Sequence, residues 1–365
     1  MKFSADREAI LAPLQSVIGV VERRQTMPIL ANILISGRGD HLTFTATDLE
    51  VELVARAAVN LQQTGDITVP GRKFLEIIRA LPEKASVTVS VEGERAIVRS
   101  GKSRFTLTTL PASDFPIIED IRSQQTLRID QPTLRRLIEK THFSMAQQDV
   151  RYYLNGMLLE VAGNVLRTVA TDGHRLAYCE TTMEQPAAAA QQVIVPRKGV
   201  LELQRLIGGE GAVELTIGTN HVRVQIGDIR FTSKLIDGRF PEYGRVIPND
   251  PPKKVQADRD LLRAALQRAA ILSNEKYRGI RLALRSGVLV LQAHNPEQEE
   301  AEEELEVSYE GDEIDIGFNV NYLLDALAAV DGSEVVIGLT DPNNSCLLSA
   351  PGVTTTKYVV MPMRL

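Results

Sequence analysis

Apolar residues follow two periodicities that alternate along the chain. Six segments space them three or four positions apart, which predicts amphipathic helices at 7–22, 72–81, 133–146, 197–207, 259–273 and 320–330. Between these segments apolar and polar residues alternate, which predicts strands at 29–35, 42–47, 51–57, 86–91, 95–99, 104–110, 213–217, 222–226, 230–235 and 358–365. This order predicts an α+β fold in which helices pack on antiparallel sheets.

A short motif recurs at nearly equal intervals. Its copies are Ala46-Thr47-Asp48, Ala170-Thr171-Asp172 and the weaker Ala293-His294-Asn295. The spacings of 124 and 123 residues are about a third of the 365-residue chain. A Val-Pro pair at 69 and 195 and a Phe-Pro pair at 115 and 240 keep the same step. The repeat predicts three tandem copies of one domain, each with two helices on antiparallel sheets, covering 1–121, 122–250 and 251–365.

Composition places the chain among ordinary globular proteins, with 44% hydrophobic and 24% charged residues. The first residues lack the apolar run of a signal peptide, and no stretch approaches about 20 consecutive apolar residues. We therefore expect a cytoplasmic protein without a membrane partner. Cys179 and Cys346 have no metal-ligand spacing and are expected to be buried free thiols.

Charge is distributed unevenly. The net charge is −6, but the three predicted domains carry −1, +2 and −7 in order. The helical segments hold 13 basic and 7 acidic side chains, so they are positive in a negative protein. Any one such helix is most simply a solvated face, but the same bias in equivalent helices of the repeat favours a shared positive surface. Such a surface attracts phosphate backbones without reading sequence.

The acidic counterpart is the run 297–304, which leads directly into Leu305-Glu306-Val307 and so predicts an acidic strand. A basic strand that could pair with it lies in the first repeat, where Arg95, Arg99, Lys102 and Arg104 flank Phe105 and Leu107. If these strands pair between two chains, head to tail, the contact is heterologous, and a heterologous contact that closes makes a ring.

No catalytic motif is evident. The sequence lacks a Walker A loop and a Gly-x-Ser-x-Gly elbow, and His174 near Asp172 is expected to be structural. The sequence therefore indicates no catalytic residue, no metal and no cofactor. Two alternatives stay open at this point: a metal-dependent nuclease using Asp48, Glu50 and Asp172, and a monomeric peptide-binding scaffold.

Several long motifs carry a resemblance to a known family. They include Val169-Ala-Thr-Asp-Gly-His-Arg-Leu176 and the segments 144–156, 195–199, 271–279, 295–303 and 358–365. Over essentially its whole length the chain resembles the bacterial DNA polymerase III beta subunits, the replicative sliding clamps. The resemblance implies a head-to-tail homodimer whose six similar domains form a ring around duplex DNA, with helices inside and sheets outside. It also implies a non-catalytic processivity factor for the replicative polymerase.

The resemblance further implies three sets of site residues. The DNA contacts fall on Arg24, Arg72, Gln148, Tyr152 and Tyr153. The dimer interface falls on Lys73, Arg95, Lys102, Arg104, Phe105, Leu107, Ile271, Leu272, Glu297, Glu299, Glu300 and Glu303. A groove for short peptides of the replicative polymerase, the clamp loader, other polymerases and repair proteins falls on Leu154, Thr171, Gly173, His174, Arg175, Leu176, Pro241, Arg245, Val246, Ser345, Val359, Met361, Pro362, Met363 and Arg364. Gly244 departs from the bulkier basic residue of the family.

Overall fold

A computed structural model describes residues 1–21, 27–118 and 121–364. Its α-helices are α1 (Arg7–Val17), α2 (Gly71–Ala80), α3 (Gln131–Glu139), α4 (Arg197–Leu206), α5 (Arg259–Ala269) and α6 (Val320–Ala329). Its strands in the first repeat are β1 (Lys2–Asp6), β2 (Asn32–Arg38), β3 (His41–Thr47), β4 (Val51–Ala58), β5 (Asn60–Gln63), β6 (Gly65–Pro70), β7 (Ser86–Glu92), β8 (Arg95–Ser100) and β9 (Ser103–Thr108).

The second repeat contributes β10 (Ser123–Asp130), β11 (Gly156–Ala162), β12 (Val165–Thr171), β13 (Arg175–Thr182), β14 (Gln191–Pro196), β15 (Ala212–Gly218), β16 (His221–Ile226) and β17 (Ile229–Lys234). The third contributes β18 (Lys253–Asp258), β19 (Gly279–Arg285), β20 (Val288–His294), β21 (Glu300–Glu306), β22 (Ile314–Asn319), β23 (Glu334–Leu339), β24 (Cys346–Ser349) and β25 (Thr356–Val360). The acidic run of the sequence therefore does enter a strand, β21, as predicted.

One compact unit comprises residues 1–134 and 198–235. It contains a five-stranded sheet in the order β5-β1-β7-β8-β9 and an eight-stranded sheet in the order β10-β15-β16-β17-β4-β3-β2-β6. Helices α1 and α2 pack against each other, and α1 also lies against β3 and β4. The eight-stranded sheet joins four strands of the second repeat to four of the first through the antiparallel pair β17 and β4. We call this pair the first joint.

The other compact unit comprises residues 135–197 and 236–365. Its eight-stranded sheet runs β14-β11-β12-β13-β25-β24-β23-β18, and its four-stranded sheet runs β21-β20-β19-β22. Here β13 of the second repeat pairs antiparallel with β25 of the third, which we call the second joint. A core that includes Leu262, Leu266, Phe318 and Leu327 lies where α5 and α6 pack on these strands.

The helix predictions are confirmed in position but were too long in three places. The segment 133–146 ends as an α-helix at Glu139, after which a 3-10 turn spans His142–Ser144. The Thr141 hydroxyl donates to the Leu137 carbonyl at 2.8 Å, a local bond of the kind by which Thr competes with the helix. The helices predicted at 7–22 and 259–273 likewise end in 3-10 turns, at Ile18–Val20 and Ala270–Leu272.

The strand predicted at 29–35 was wrong at its start. Residues Pro28–Ala31 form a 3-10 turn, and the strand begins only at Asn32. Proline fixes its own φ near the helical value and favours the first position of such a turn. Both cysteines are buried, as predicted, and burial raises the pKa of the Cys179 thiol to about 11. Among the described helices, none is both long and apolar enough to cross a bilayer.

Candidate functional site

A cavity of about 750 Å³ opens beside the second joint. It lies where the end of β25 meets the start of β13, between the 3-10 turn Tyr152–Leu154 and the loop that follows β17. It is lined by Arg151, Tyr153, Leu154, Thr171, Gly173, Arg175, Leu176, Pro241, Glu242, Tyr243, Gly244, Arg245, Val246, Ile247, Pro248, Asn249, Thr340, Asn344, Ser345, Val359 and Met361. We call this cavity the groove and residues 237–249 its wall.

The floor of the groove is apolar and well packed. Leu176 and Val359 lie directly opposite each other across the second joint and are 4% and 3% exposed. They belong to a buried cluster that also includes Leu158, Tyr178 and Phe240. The strands place these side chains on one face because alternate residues of a strand point the same way. A mostly apolar concave surface with a few polar groups is typical of a binding site.

The turn between β12 and β13 forms one end of the groove and is held by its own side chains. The Asp172 carboxylate accepts hydrogen bonds from the backbone N–H groups of His174 and Arg175, at 2.9 and 3.1 Å. The Thr171 hydroxyl donates to the Arg175 carbonyl at 2.6 Å. Gly173 has φ +88°, a conformation that glycine adopts without strain. The recurrent Ala-Thr-Asp motif is therefore a turn motif.

The first copy of the motif has the same geometry. The Asp48 carboxylate accepts from the N–H groups of Glu50 and Val51 at 2.9 and 2.7 Å, and it also pairs with Lys198. Both aspartates that the nuclease alternative needs as metal ligands thus hold turns. Across the described parts of the chain, no group of three or more His, Cys, Asp or Glu residues could hold a metal ion.

Arg175 lines the groove, but its guanidinium group is held by the protein. It donates to Asp172 at 3.1 Å, to Asp325 at 2.5 Å and to the Phe143 carbonyl at 2.8 Å. Its Cζ atom also lies 4.6 Å from the centroid of the Tyr322 ring, within cation–π range. The arginine therefore braces the turn and α6 instead of offering a free charge to a ligand.

The rim of the groove is exposed. Met361 and Val246 are 49% and 55% exposed, and the Met361 N–H donates to the His174 carbonyl at 2.9 Å. Two exposed apolar side chains above a buried floor suit a surface that repacks around different ligands, and Met is particularly adaptable.

The structure brings most of the predicted groove residues together. Of these, the lining contains Leu154, Thr171, Gly173, Arg175, Leu176, Pro241, Arg245, Val246, Ser345, Val359 and Met361. His174, Pro362, Met363 and Arg364 do not line it, and the Met363 N–H instead donates to the Gly317 carbonyl at 2.8 Å.

Sequence reasoning missed a second group of lining residues. These are Arg151, Glu242, Tyr243, Ile247, Pro248, Asn249, Thr340 and Asn344. Most of them follow the recurring Phe-Pro pair at 240, which is the sequence feature that could have pointed to this loop. The pair marked the loop, but nothing in its residue types indicated that the loop folds back onto the sheet.

Comparison with known proteins decides the family. Three consecutive segments match the DNA polymerase III beta subunit: residues 1–119 its N-terminal domain, 128–242 its central domain and 244–364 its C-terminal domain. The chain belongs to this family. It is 54% identical over 367 residues to the beta sliding clamp of Pseudomonas putida, covering 100% of both chains.

Solved beta sliding clamps have the same fold. The DNA polymerase III subunit beta of Pseudomonas aeruginosa matches with a TM-score of 0.98 at 52% identity, over 100% of both chains. A Pseudomonas aeruginosa sliding clamp bound to griselimycin matches with a TM-score of 0.97 at 53% identity, again over 100% of both. Membership makes the chain a sliding clamp, which is a non-catalytic processivity factor.

The predicted DNA contacts of this clamp fall into different environments. Arg72 is exposed on α2 and donates to the Val21 carbonyl at 2.5 Å. Gln148 and Tyr152 are exposed, whereas Tyr153 packs against the floor cluster and lines the groove. Arg24 lies outside the described residues. The DNA-binding role of all these residues stays a prediction.

The predicted interface residues of the clamp lie on two sheet edges and nearby elements. In the first repeat, Lys73, Arg95, Lys102 and Arg104 are exposed, Phe105 is half-buried and Leu107 is buried. In the third, Glu297, Glu299 and Glu300 are exposed, and Glu303 receives two hydrogen bonds of 2.7 Å from Arg268. Ile271 is 75% exposed, while its neighbour Leu272 is half-buried.

Proposed function

We propose that two copies of this chain close head to tail into a ring around duplex DNA. The ring holds the replicative polymerase on its template, and the groove tethers short peptides of the polymerase, the clamp loader, other polymerases and repair proteins. Each chain supplies three clamp domains, 1–121, 122–250 and 251–365, and the ring acts in the cytoplasm. It performs no chemistry and uses no cofactor.

The pattern of the two in-chain joints is the observation that supports the ring. It leaves two equivalent strands without a partner strand in the described parts of the chain. Each in-chain joint pairs the last strand of one repeat with the strand after the Thr-Asp turn of the repeat before it, β17 with β4 and β25 with β13. The equivalents left over are β9 and β21, which are edge strands in the described parts of the chain. Because edge strands with free backbone groups favour pairing, β9 of one copy completes its sheet against β21 of another.

We infer the alignment of this third joint from that of the two in-chain joints. Phe231 lies opposite Leu53 in the first joint, and Tyr358 lies opposite Ala177 in the second. The equivalents of these residues in β9 and β21 are Phe105 and Ala301, which therefore pair across the subunits. The neighbouring pair is then Arg104 opposite Glu302. A cation directly opposite a carboxylate stabilises a strand pair, whereas like charges there destabilise it.

The basic helices support a DNA channel. Arg79, Arg135, Arg205 and Arg263 are exposed on four different helices, and they add to the exposed Arg72. Phosphate contacts from such side chains are salt-sensitive and independent of sequence. Weak contacts of this kind suit a ring that must slide, since topology and not affinity keeps it on the template.

The groove supports the tethering role. Its apolar floor is buried and preformed, and its rim carries adaptable side chains next to a few polar groups. A partner that presents a short apolar segment buries that segment there while the rest of the partner stays free to work on DNA.

Retention on circular DNA tests the proposal. The clamp is loaded on nicked circles with the cognate loader and ATP, isolated in moderate salt and then exposed to a restriction enzyme that linearises the circles. We expect the clamp to remain on circles and to leave after cutting, because an encircling ring slides off an end. Equal retention on circles and cut DNA would mean that direct contacts hold it, and the ring would have to be abandoned.

Two assays on the same purified protein distinguish the ring from the nuclease and from the monomeric scaffold. Metal-dependent cleavage of a labelled duplex that Asp172→Ala abolishes would support the nuclease. A monomer mass that does not change with concentration would support the peptide-binding scaffold.

A further inference from the structure

A ladder of charged side chains crosses the sheet beside the groove. Glu160, Arg167 and Glu180 lie directly opposite one another on β11, β12 and β13. Arg167 donates from Nη1 to Glu160 at 2.9 Å and from Nε to Glu180, also at 2.9 Å. All three side chains are at most 25% exposed. An ion-pair network this shielded holds its members in fixed positions more firmly than exposed pairs do.

The ladder lies on the same face of the sheet as the groove floor. Glu160 is two residues from Leu158 on β11, and Glu180 is two residues from Tyr178 on β13, so both pairs point the same way. The Tyr178 hydroxyl donates to the Glu180 carboxylate. The apolar floor and the charged ladder therefore form one continuous surface.

Tyr243 connects this surface to the wall of the groove. Its hydroxyl donates to Glu160 at 2.6 Å, and its ring lies 6.0 Å from the ring of Tyr178. Burial, together with the hydrogen bond to Glu160, raises the pKa of Tyr243 to about 12, so the hydroxyl keeps its proton at neutral pH.

The remaining polar contacts of the wall are local. Glu242 pairs with Arg239 at 3.3 Å and with Arg245 at 2.7 Å, and all three residues belong to the wall. The bond from Tyr243 to Glu160 therefore ties residues 237–249 to the sheet, and Arg167, which orients Glu160, also interacts with the Tyr243 hydroxyl.

We propose that Tyr243, Glu160 and Arg167 are positioning residues for the partner peptide. The inference rests on the peptide-tethering role proposed above and adds residues that need not contact the peptide at all. Arg167 orients Glu160, Glu160 holds the Tyr243 hydroxyl, and Tyr243 fixes the wall at the width that the floor requires. Without this bond the wall samples other positions, and binding has to order it first, which lowers affinity.

The test removes one oxygen atom. Full-length wild type and Tyr243→Phe are titrated against a fluorescein-labelled peptide carrying the clamp-binding segment of the cognate replicative polymerase. We expect the Kd to rise about tenfold, the effect of losing one hydrogen bond to a charged group. Amide hydrogen exchange in residues 241–249 should speed up in the free variant, because the wall is no longer tied down.

A matched control separates positioning from general destabilisation. Tyr309 is buried in the same compact unit, and its hydroxyl donates to the Asp312 carbonyl at 2.6 Å, away from the groove. Tyr309→Phe also removes one hydrogen-bonded hydroxyl, so it should lower Tm, but it should leave the Kd unchanged. A Kd that rises equally in both variants would overturn the proposal.

Two variants of Glu160 complete the design. Glu160→Gln keeps a hydrogen-bond acceptor and should stay within about threefold of wild type, whereas Glu160→Ala should match Tyr243→Phe. In the Glu160→Ala background, Tyr243→Phe should cost nothing further. A full additional loss there would mean that the hydroxyl contacts the peptide directly, contrary to the proposal. If wild type itself fails to bind, the tethering function is at fault; if wild type binds and Tyr243→Phe binds equally well, only the positioning inference fails.

Discussion

Single residues determine which of the two in-chain joints is open to a partner. At the second joint, Leu176 and Val359 face each other and form an apolar floor. The equivalent pair at the first joint is Glu52 and Thr232. The Glu52 carboxylate is 1% exposed and accepts from the Ile118 N–H at 2.7 Å, so the chain's own segment after the Phe-Pro pair covers that position. In the described part of the chain, the groove therefore lies at the second joint, whereas a neighbouring segment covers the equivalent position of the first.

The buried carboxylate at the first joint predicts a pH-dependent stability difference. Burial raises the pKa of Glu52, although the Ile118 N–H and the charges of Arg230 and Arg223 oppose the shift. A raised folded-state pKa contributes stability that is fully present below the unfolded pKa, ordinarily about 4.3, and is lost as pH rises through the folded value. The free energy of unfolding of wild type minus that of Glu52→Gln should therefore fall between pH 4 and pH 8.

Urea unfolding of both proteins across that range measures the difference. Thr232→Val, at the position opposite Glu52, carries no titratable group and should show a difference from wild type that does not change with pH. A wild-type advantage over Glu52→Gln that grows with pH would show that the charged form is favoured on folding, contrary to expectation.

Two glycines of the groove predict opposite responses to alanine. At Gly244 a Cβ atom would meet nothing within 4 Å and the backbone is not left-handed, so Gly244→Ala should stabilise by about 0.4–1 kcal/mol. At Gly173 the φ is +88° and a Cβ would lie 2.9 Å from Arg151, so Gly173→Ala should destabilise by about 1–3 kcal/mol. Thermal unfolding of the two variants shows whether Tm rises for Gly244→Ala and falls for Gly173→Ala. A lower Tm for Gly244→Ala would contradict this account.

At the scale of elements, the repeat made much of the fold predictable. The recurring turn marked the strands on either side of it, and the edge strands β9 and β21 follow from extending the pattern of the joints. Local rules failed where a side chain competes with the backbone, as Thr141 does, or where proline starts a turn, as Pro28 does.

The groove was predictable only in part. Leu176 and Val359 lie on regular strands, and a resemblance could carry them over. The tie from Tyr243 to Glu160 joins residues 83 positions apart through a loop with no periodicity, and no local pattern signals such a contact.

The proposed alignment of β9 with β21 predicts a charge-reversal rescue. Arg104→Glu should weaken the dimer because it places two carboxylates opposite each other, and Glu302→Arg should weaken it because it opposes two cations. The double variant restores an opposite pair and should recover most of the dimer. Each opposite pair contributes roughly 0.2–1 kcal/mol, and the ring contains two of them.

Sedimentation across a dilution series measures the dimer. Pairing Arg104→Glu with Glu306→Arg, a partner from the other end of β21, is the matched control and should give no rescue. Rescue by that control, or none by Glu302→Arg, would show that the strands pair in a different register.

At the scale of the whole molecule, the proposed ring uses two kinds of contact for two different functions. In the proposed ring, phosphate contacts guide the duplex and the interfaces between subunits keep the ring closed. Since retention is topological in the proposed ring, the two jobs separate under mutation. Arg72→Gln should weaken the binding of free clamp to a short duplex and reduce its salt dependence, while loaded clamp stays on nicked circles as long as wild type does.

Substitutions in the subunit interface, unlike Arg72→Gln, should shorten the time that loaded clamp stays on nicked circles. Ile271 is 75% exposed in the single chain, and burying such a side chain contributes about 1.5–3 kcal/mol. Ile271→Ala combined with Leu272→Ala removes that contribution at both interfaces, so the variant should dissociate to monomers on dilution and leave closed circles as fast as cut ones. Leu261→Ala removes a comparably exposed apolar side chain from α5 and is the control that should keep the ring closed. The opposite result would be that Arg72→Gln leaves closed circles while the Ile271 and Leu272 variant stays on them. It would mean that direct contacts with DNA, and not ring closure, retain the clamp.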